Sequence, residues 1–126
     1  MNFFSKKVNP SLVNSLVGPA TVVKGDVSFA GGLRVEGTIE GSINGTDNSV
    51  LVLVNGGRIT GSINVTHAII DGPIEGPLVI CETLELKPAA RINGDITYKD
   101  LTIKAGAIIN GRLIHNNPAL QPTEIA

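Results

Sequence analysis

The chain has 126 residues with ten basic and eleven acidic side chains, so its formal net charge is -1 at pH 7. This length suits one domain with a core of its own, and the charge excludes the basic excess that is typical of nucleic-acid-binding domains. Aromatic residues make up 3% of the chain and tryptophan is absent, which excludes a core built on large rings and favours aliphatic, strand-forming side chains. The single cysteine, Cys81, excludes an internal disulfide framework and indicates a reducing compartment.

Residues 1–18 are predicted to be a flexible tail, because they contain the turn-forming pair Asn9-Pro10 and end at Gly18. No stretch of the chain approaches the roughly 20 apolar residues that a membrane-spanning helix needs. The first residues also lack the apolar stretch and cleavage site of a signal peptide. The sequence therefore predicts a cytoplasmic protein.

One five-residue pattern recurs six times in the chain: an aliphatic residue, a polar one, glycine, any residue, and a second aliphatic residue. The central glycines lie 15 to 20 residues apart. The six copies are Val23–Val27, Ile39–Ile43, Ile59–Ile63, Ile74–Leu78, Ile92–Ile96 and Ile109–Leu113. Regular repetition of this kind indicates a stack of similar structural units.

Each copy belongs to a longer alternation of apolar and polar residues, as in Leu33–Ile43, which is typical of strands with one buried face. Because the motif always returns in the same phase, successive copies are expected to stack like on like. The sequence thus predicts an all-β, single-domain parallel β-helix of about six windings over residues 19–115, followed by a flexible tail at 116–126. The predicted interior column is Ile39, Ile59, Ile74, Ile92 and Ile109.

The residue types that carry catalysis or bind metals are scattered. His67 is interpreted as a surface loop residue, His115 as the exit from the last strand, and Cys81 as an outward-facing residue. Their spacing matches no metal motif, and the regular glycines match no phosphate-binding loop. We therefore expect no catalytic, metal or cofactor site and no bound nucleotide. A hexapeptide-repeat acyltransferase, the main enzyme alternative, would need rigid six-residue spacing and a histidine within a repeat.

The segments Leu16–Pro19, Val23–Val27 and Leu33–Ile43 closely resemble the bactofilin family, and the later windings keep the family pattern through Leu113. The opening segment, Met1–Lys7, is similar to the short membrane-targeting peptide of many members. The resemblance implies a right-handed β-helix and a bacterial cytoskeletal scaffold that forms non-polar filaments without nucleotide. It also implies association with the inner face of the cytoplasmic membrane and the positioning of cell-shape or cell-wall factors, with cell-wall enzymes among the partners.

Two sets of residues are predicted to carry these interactions. The ends of a β-helix expose unpaired backbone groups and an open section of the core, so end-to-end association is expected there. The residues predicted at one end are Val22, Val27 and Phe29, and those at the other are Leu101, Ile103, Leu113 and Ile114. The residues predicted to contact the membrane are Met1, Phe3, Phe4, Lys6 and Lys7.

Several apolar residues fall on positions that the alternation points outward. They are Val52, Val54, Ile69, Val79 and Ile108. A lateral contact between filaments and corners where the alternation shifts both explain them, and the sequence does not decide between the two. A non-filamentous adaptor that binds a wall enzyme is the remaining alternative for the protein as a whole.

Overall fold

A computed structural model describes residues 13–46 and 48–115, and every regular element in this part of the chain is a β-strand. The strands are β1 (Val13–Val17), β2 (Val22–Lys24), β3 (Val27–Phe29), β4 (Gly32–Val35), β5 (Thr38–Glu40), β6 (Ile43–Gly45), β7 (Val50–Leu53), β8 (Arg58–Thr60), β9 (Ile63–Ile70), β10 (Pro73–Glu75), β11 (Leu78–Leu86), β12 (Arg91–Asn93), β13 (Ile96–Tyr98), β14 (Asp100–Ile103), β15 (Ile108–Asn110) and β16 (Leu113–His115). All pairings between them are parallel.

The strands wind around three faces. The first face is a sheet of β2, β5, β8, β10, β12 and β15 in that order. The second face stacks β3, β6, the first half of β9, the first half of β11, β13 and β16. The third face stacks β1, β4, β7, the second halves of β9 and β11, and β14. Six windings result, the first made of β1 to β3 and the last of β14 to β16, which confirms the predicted parallel β-solenoid.

The core consists of aliphatic columns that run along the solenoid axis. On the first face the register pairs Ile39 with Ile59, Ile59 with Ile74, Ile74 with Ile92, and Ile92 with Ile109. The first four of these side chains are at most 1% exposed, and Ile109 in the last winding packs against them while partly buried. The predicted interior column is therefore confirmed. Such a narrow core is filled by side chains of similar size, which explains why the chain needs few aromatic residues.

The solenoid starts earlier than the predicted boundary at residue 19. β1 pairs with β4, so Val13–Val17 form part of the first winding instead of the flexible tail predicted at residues 1–18. Its register shifts between Val13 and Ser15, which interrupts the period-two alternation by which strands are recognised in sequence. Val17 is 9% exposed and belongs to the core, so this strand contributes to the stability of the first winding.

The prediction for His67 was wrong. This residue lies within β9, which continues through the corner between the second and third faces. The loop expected there does not form, because the second-face strand passes directly into the third-face strand at this winding and again in β11.

The corner between the first and second faces depends on glycine. Gly61 has a φ of 141°, and a Cβ at this position would collide with the carbonyl oxygen of Gly41 in the winding before it. Gly56 also has a positive φ, 111°, but a Cβ there would meet nothing within 4 Å. Glycine is therefore required at Gly61 for its backbone conformation and for the close approach of the next winding.

We predict that Gly56→Ala lowers the free energy of unfolding by about 1–2 kcal/mol, the cost of placing an L-residue in a left-handed conformation. Gly61→Ala should cost clearly more, because the two windings must also move apart. Urea denaturation of both variants measures the difference. Equal losses would show that the close approach of windings at this corner contributes nothing.

Candidate polymerisation surfaces

The first winding forms one open end of the solenoid, which we call the amino-terminal end surface. The structure places the predicted residues Val22, Val27 and Phe29 there, in β2 and β3. Val22 points outward and is 56% exposed, whereas Val27 and Phe29 are partly buried and pack against the edge of the core. Leu16 in β1, which the sequence had assigned to the tail, lies at the same end and is 60% exposed.

The last winding forms the other open end, the carboxy-terminal end surface. Ile103 and Leu113 occupy inward positions, yet they are 45% and 44% exposed. The residues that precede them in the same columns, Leu86 and Ile96, are both 0% exposed. Since no further winding stacks on these two side chains among the described residues, they show an open section through the core.

Three further apolar side chains lie at this end. Leu101 is partly buried against the core, while Ile114 and Ile108 point outward and are 43% and 48% exposed. Ile114 was predicted as an end residue, whereas Ile108 was grouped with the outward apolar residues for which a lateral contact and a corner were both considered. The structure brings all of them together at the carboxy-terminal end surface.

Exposed apolar side chains are concentrated at the two ends. Seven large hydrophobic residues are exposed in the described part of the chain, and six of them lie in the first or last winding; Val79 is the exception. Scattered apolar residues on a surface need no explanation, but clusters at defined places mark interaction sites. The backbone points to the same places, because among residues 13–46 and 48–115 the strands β1 to β3 and β14 to β16 each pair on one side only. Unpaired strand edges accept further strands.

Polar contacts attach the last winding firmly to the one before it. The backbone N–H of Arg112 donates to Asp95 Oδ1 at 3.0 Å, and the Arg112 guanidinium lies 3.3 Å from Asp95 Oδ2. The backbone hydrogen bond from Arg112, and then its side-chain hydrogen bond, lower the pKa of Asp95 below its ordinary value. The ring of His115 contacts the carbonyl oxygen of Lys99 at 2.9 Å and lies against Tyr98. The carboxy-terminal end surface is thus held in a defined shape.

The remaining predicted residues are placed as follows. Met1, Phe3, Phe4, Lys6 and Lys7 lie outside the described residues. Within the ranges 13–46 and 48–115, no helix is long and apolar enough to cross a membrane, and no three His, Cys, Asp or Glu residues group as metal ligands would. Cys81 is exposed, as its outward phase predicted.

A parallel solenoid with apolar side chains gathered at two open ends is a repeat protein shaped for association with further solenoids. The family model for bactofilin, described as polymer-forming and cytoskeletal, matches residues 15–114. The chain therefore belongs to the bactofilin family of structural, polymer-forming cytoskeletal proteins.

Two relatives from Myxococcus xanthus agree with this assignment. Bactofilin BacP is 30% identical over 100 residues, which cover 79% of this chain and 41% of BacP. Bactofilin BacO is 28% identical over 102 residues, which cover 81% of this chain and 79% of BacO. The chain thus spans less than half the length of one relative and most of the other. No solved structure matches it significantly.

We predict that Leu113→Arg abolishes filaments, because it places a charge in an apolar contact, while leaving the solenoid folded. Val79→Arg is the matched control: Val79 is 40% exposed, close to the 44% of Leu113, but lies in an interior winding. Negative-stain electron microscopy and sedimentation velocity compare the two proteins. Filaments of normal length from Leu113→Arg, or their loss in both variants, would contradict the assignment of this end surface.

Proposed function

We propose that this protein is a bacterial cytoskeletal scaffold that assembles through both solenoid ends into filaments on the inner face of the cytoplasmic membrane. The filaments form without nucleotide and position cell-shape or cell-wall factors, including cell-wall enzymes. The observation that carries the proposal is the concentration of exposed apolar side chains in the first and last windings. Their burial, together with the pairing of open strand edges, supplies the driving force for association, so no nucleotide hydrolysis is required.

The proposed filament lacks polarity, because each end surface contacts a second copy of itself. Such isologous contacts have a two-fold axis perpendicular to the solenoid axis. A two-fold rotation about this axis keeps the handedness of the solenoid but reverses the direction in which the strands run. The strands that meet at each junction are therefore antiparallel. In a head-to-tail filament they would run parallel, and the column that contains Ser28 in the first winding would continue into Ile114 of the next subunit.

These two arrangements predict different cross-links. We place single cysteines at Ser28 or Ile114 in a Cys81→Ser background and treat filaments with a bis-maleimide about 20 Å long. Successive copies of one residue in a head-to-tail filament would be roughly 30 Å apart, the length of six windings at about 4.8 Å each. We expect each single variant to give cross-linked dimers. Cross-links that form only when both cysteines are present would demonstrate head-to-tail assembly.

Membrane attachment is proposed to use Met1, Phe3, Phe4, Lys6 and Lys7. The two aromatic rings enter the interface while the lysines contact anionic headgroups. Each lysine near such a surface contributes about 1 kcal/mol, so a single tail binds weakly. A filament presents many tails on one lattice, and its binding is therefore multivalent. Attachment should accordingly require both the tail and the polymer.

We predict that deletion of residues 1–7 leaves filaments intact but abolishes co-sedimentation with anionic liposomes. Leu113→Arg should keep the tail yet bind the same liposomes much less, since it removes multivalency. Neutral liposomes and the filament-forming Val79→Arg protein serve as controls. Undiminished sedimentation of the truncated protein would refute the anchor, and undiminished binding by Leu113→Arg would refute the dependence on assembly.

A further inference from the structure

A second apolar cluster lies outside the core, on the outer side of the third face. It consists of Val50, Val52 and Ile69, with Val54 packed against them, and we call it the outer cluster. These positions alternate with core residues along β7 and β9, so their side chains point away from the solenoid interior.

The outer cluster is shielded from solvent although it faces outward. Val50 and Val52 are each 6% exposed and Ile69 is 8% exposed, whereas Val79, also outward and in an interior winding, is 40% exposed. The larger strand neighbours of Val52 and Ile69, among them Arg34 and Glu85, account for part of this contrast, but they do not account for Val50. Val79 lies between Asn64 and Thr97, while Val50 lies between Gly32 and His67. Since glycine has no side chain, strand neighbours alone would leave Val50 the more open of the two.

His67, beside Val50 on the same outer face, shows the same shielding. Its Nδ1 is buried and has no hydrogen-bond partner, which is rare for an outward-facing polar group. Burial lowers the pKa of His67, and the nearby Glu82 carboxylate only partly opposes this effect. An apolar surface and an imidazole ring that are both withdrawn from water indicate a cover over this part of the third face.

We propose that the outer cluster is the docking site for the amino-terminal segment of the same chain, residues 1–12. This segment enters β1 on the third face itself, where Val13 is in register with Gly32 and Gly32 with Val50. Two strand spacings, about 10 Å, separate Val13 from Val50, and twelve residues reach up to about 40 Å. The segment therefore needs no path around another face.

The carboxy-terminal segment is a poorer occupant. It leaves β16 at the opposite end of the solenoid and would have to cross the outer positions of the last winding to reach the cluster. Asp100 and Thr102 occupy those positions, and both are exposed. The segment also contains Pro118, Pro122 and the acidic Glu124, and it lacks aromatic residues.

The chemistry of residues 1–12 fits the outer cluster. The segment contributes five apolar side chains, Met1, Phe3, Phe4, Val8 and Leu12. It also carries two lysines and no acidic residue. Around the cluster and His67 the charged side chains are Glu36, Asp71, Glu82 and Glu85 against Arg34, Lys87 and Lys99, an excess of one carboxylate. Apolar side chains flanked by lysines therefore meet an apolar patch with a slightly acidic rim.

Docking of the tail would compete with its insertion into the membrane. This consequence rests on the proposed function of the tail as a membrane anchor. Phe3 and Phe4 cannot contact the outer cluster and the lipid interface at the same time. The outer cluster lies in the third and fourth windings, away from both end surfaces, so docked tails leave filament assembly unhindered. Each subunit would then exchange its tail between the solenoid and the membrane.

The absence of tryptophan allows a direct test with Phe4→Trp, which introduces a single indole into the full chain. In lipid-free buffer we expect blue-shifted emission and a several-fold weaker quenching by acrylamide than for a free indole. Ile69→Asp should abolish this protection, and the milder Val52→Thr should reduce it in case the first variant folds poorly. Val79→Asp, on the second face, is the matched control and should change nothing.

Each other outcome overturns the proposal. A freely quenched indole in the Phe4→Trp protein, or protection that survives Ile69→Asp and Val52→Thr in folded proteins, excludes docking at the outer cluster. Protection of the indole in Leu120→Trp but not in Phe4→Trp identifies the carboxy-terminal segment as the occupant. Protection that disappears on dilution identifies the tail of a second copy.

Anionic vesicles separate this proposal from the membrane anchor. With vesicles added, the indole of the Phe4→Trp protein should become accessible to a quencher attached to the lipid chains. Protection in buffer without lipid quenching would leave docking intact and refute the anchor. Lipid quenching without protection in buffer would leave the anchor intact and refute docking.

Discussion

The structure depends on the hydrogen bonds that each winding makes to the windings on either side of it. A three-residue strand such as β5 or β8 is too short to be stable alone, and it persists because parallel neighbours pair with both of its edges. Stacking of windings in this way can be repeated without limit. In the described part of the chain, the first and last windings each have an outer edge that pairs with no further strand. The interaction that builds the subunit is therefore also available for joining subunits.

Close registration of windings accounts for the composition of the chain. Each core side chain packs against the equivalent side chains of the windings above and below it. This packing favours isoleucine, valine and leucine, which have similar volumes. At a corner between the first and second faces the backbone must turn within one residue, and the neighbouring winding must approach closely. Gly61 meets both requirements, since it has a positive φ and lies against the carbonyl group of Gly41. The chain thus uses few residue types, because each position is constrained along the solenoid axis as well as along the sequence.

These repeated constraints made most of the fold predictable from the sequence. The column from Ile39 to Ile109 and the number of windings follow from phase alone. β1 was missed because its register shift breaks the alternation. Leu16 was therefore assigned to the tail and not to an end. Ile108 was judged by its outward phase alone, although it directly precedes the last copy of the repeat.

The outer cluster could not be found from the sequence for a different reason. Alternation shows that Val52 and Ile69 point outward, and an outward apolar residue is expected to be exposed. Both side chains are nevertheless buried, and the docking contact that we propose for them has no periodicity in the sequence. The solenoid thereby separates two kinds of apolar surface. Those at its ends are exposed, whereas the one on its side is shielded from solvent. In the filament that we propose, the sides can therefore be regulated independently of the ends. An event that uncovers the third face, such as insertion of the tail into a membrane, would change what the filament presents laterally without changing its length.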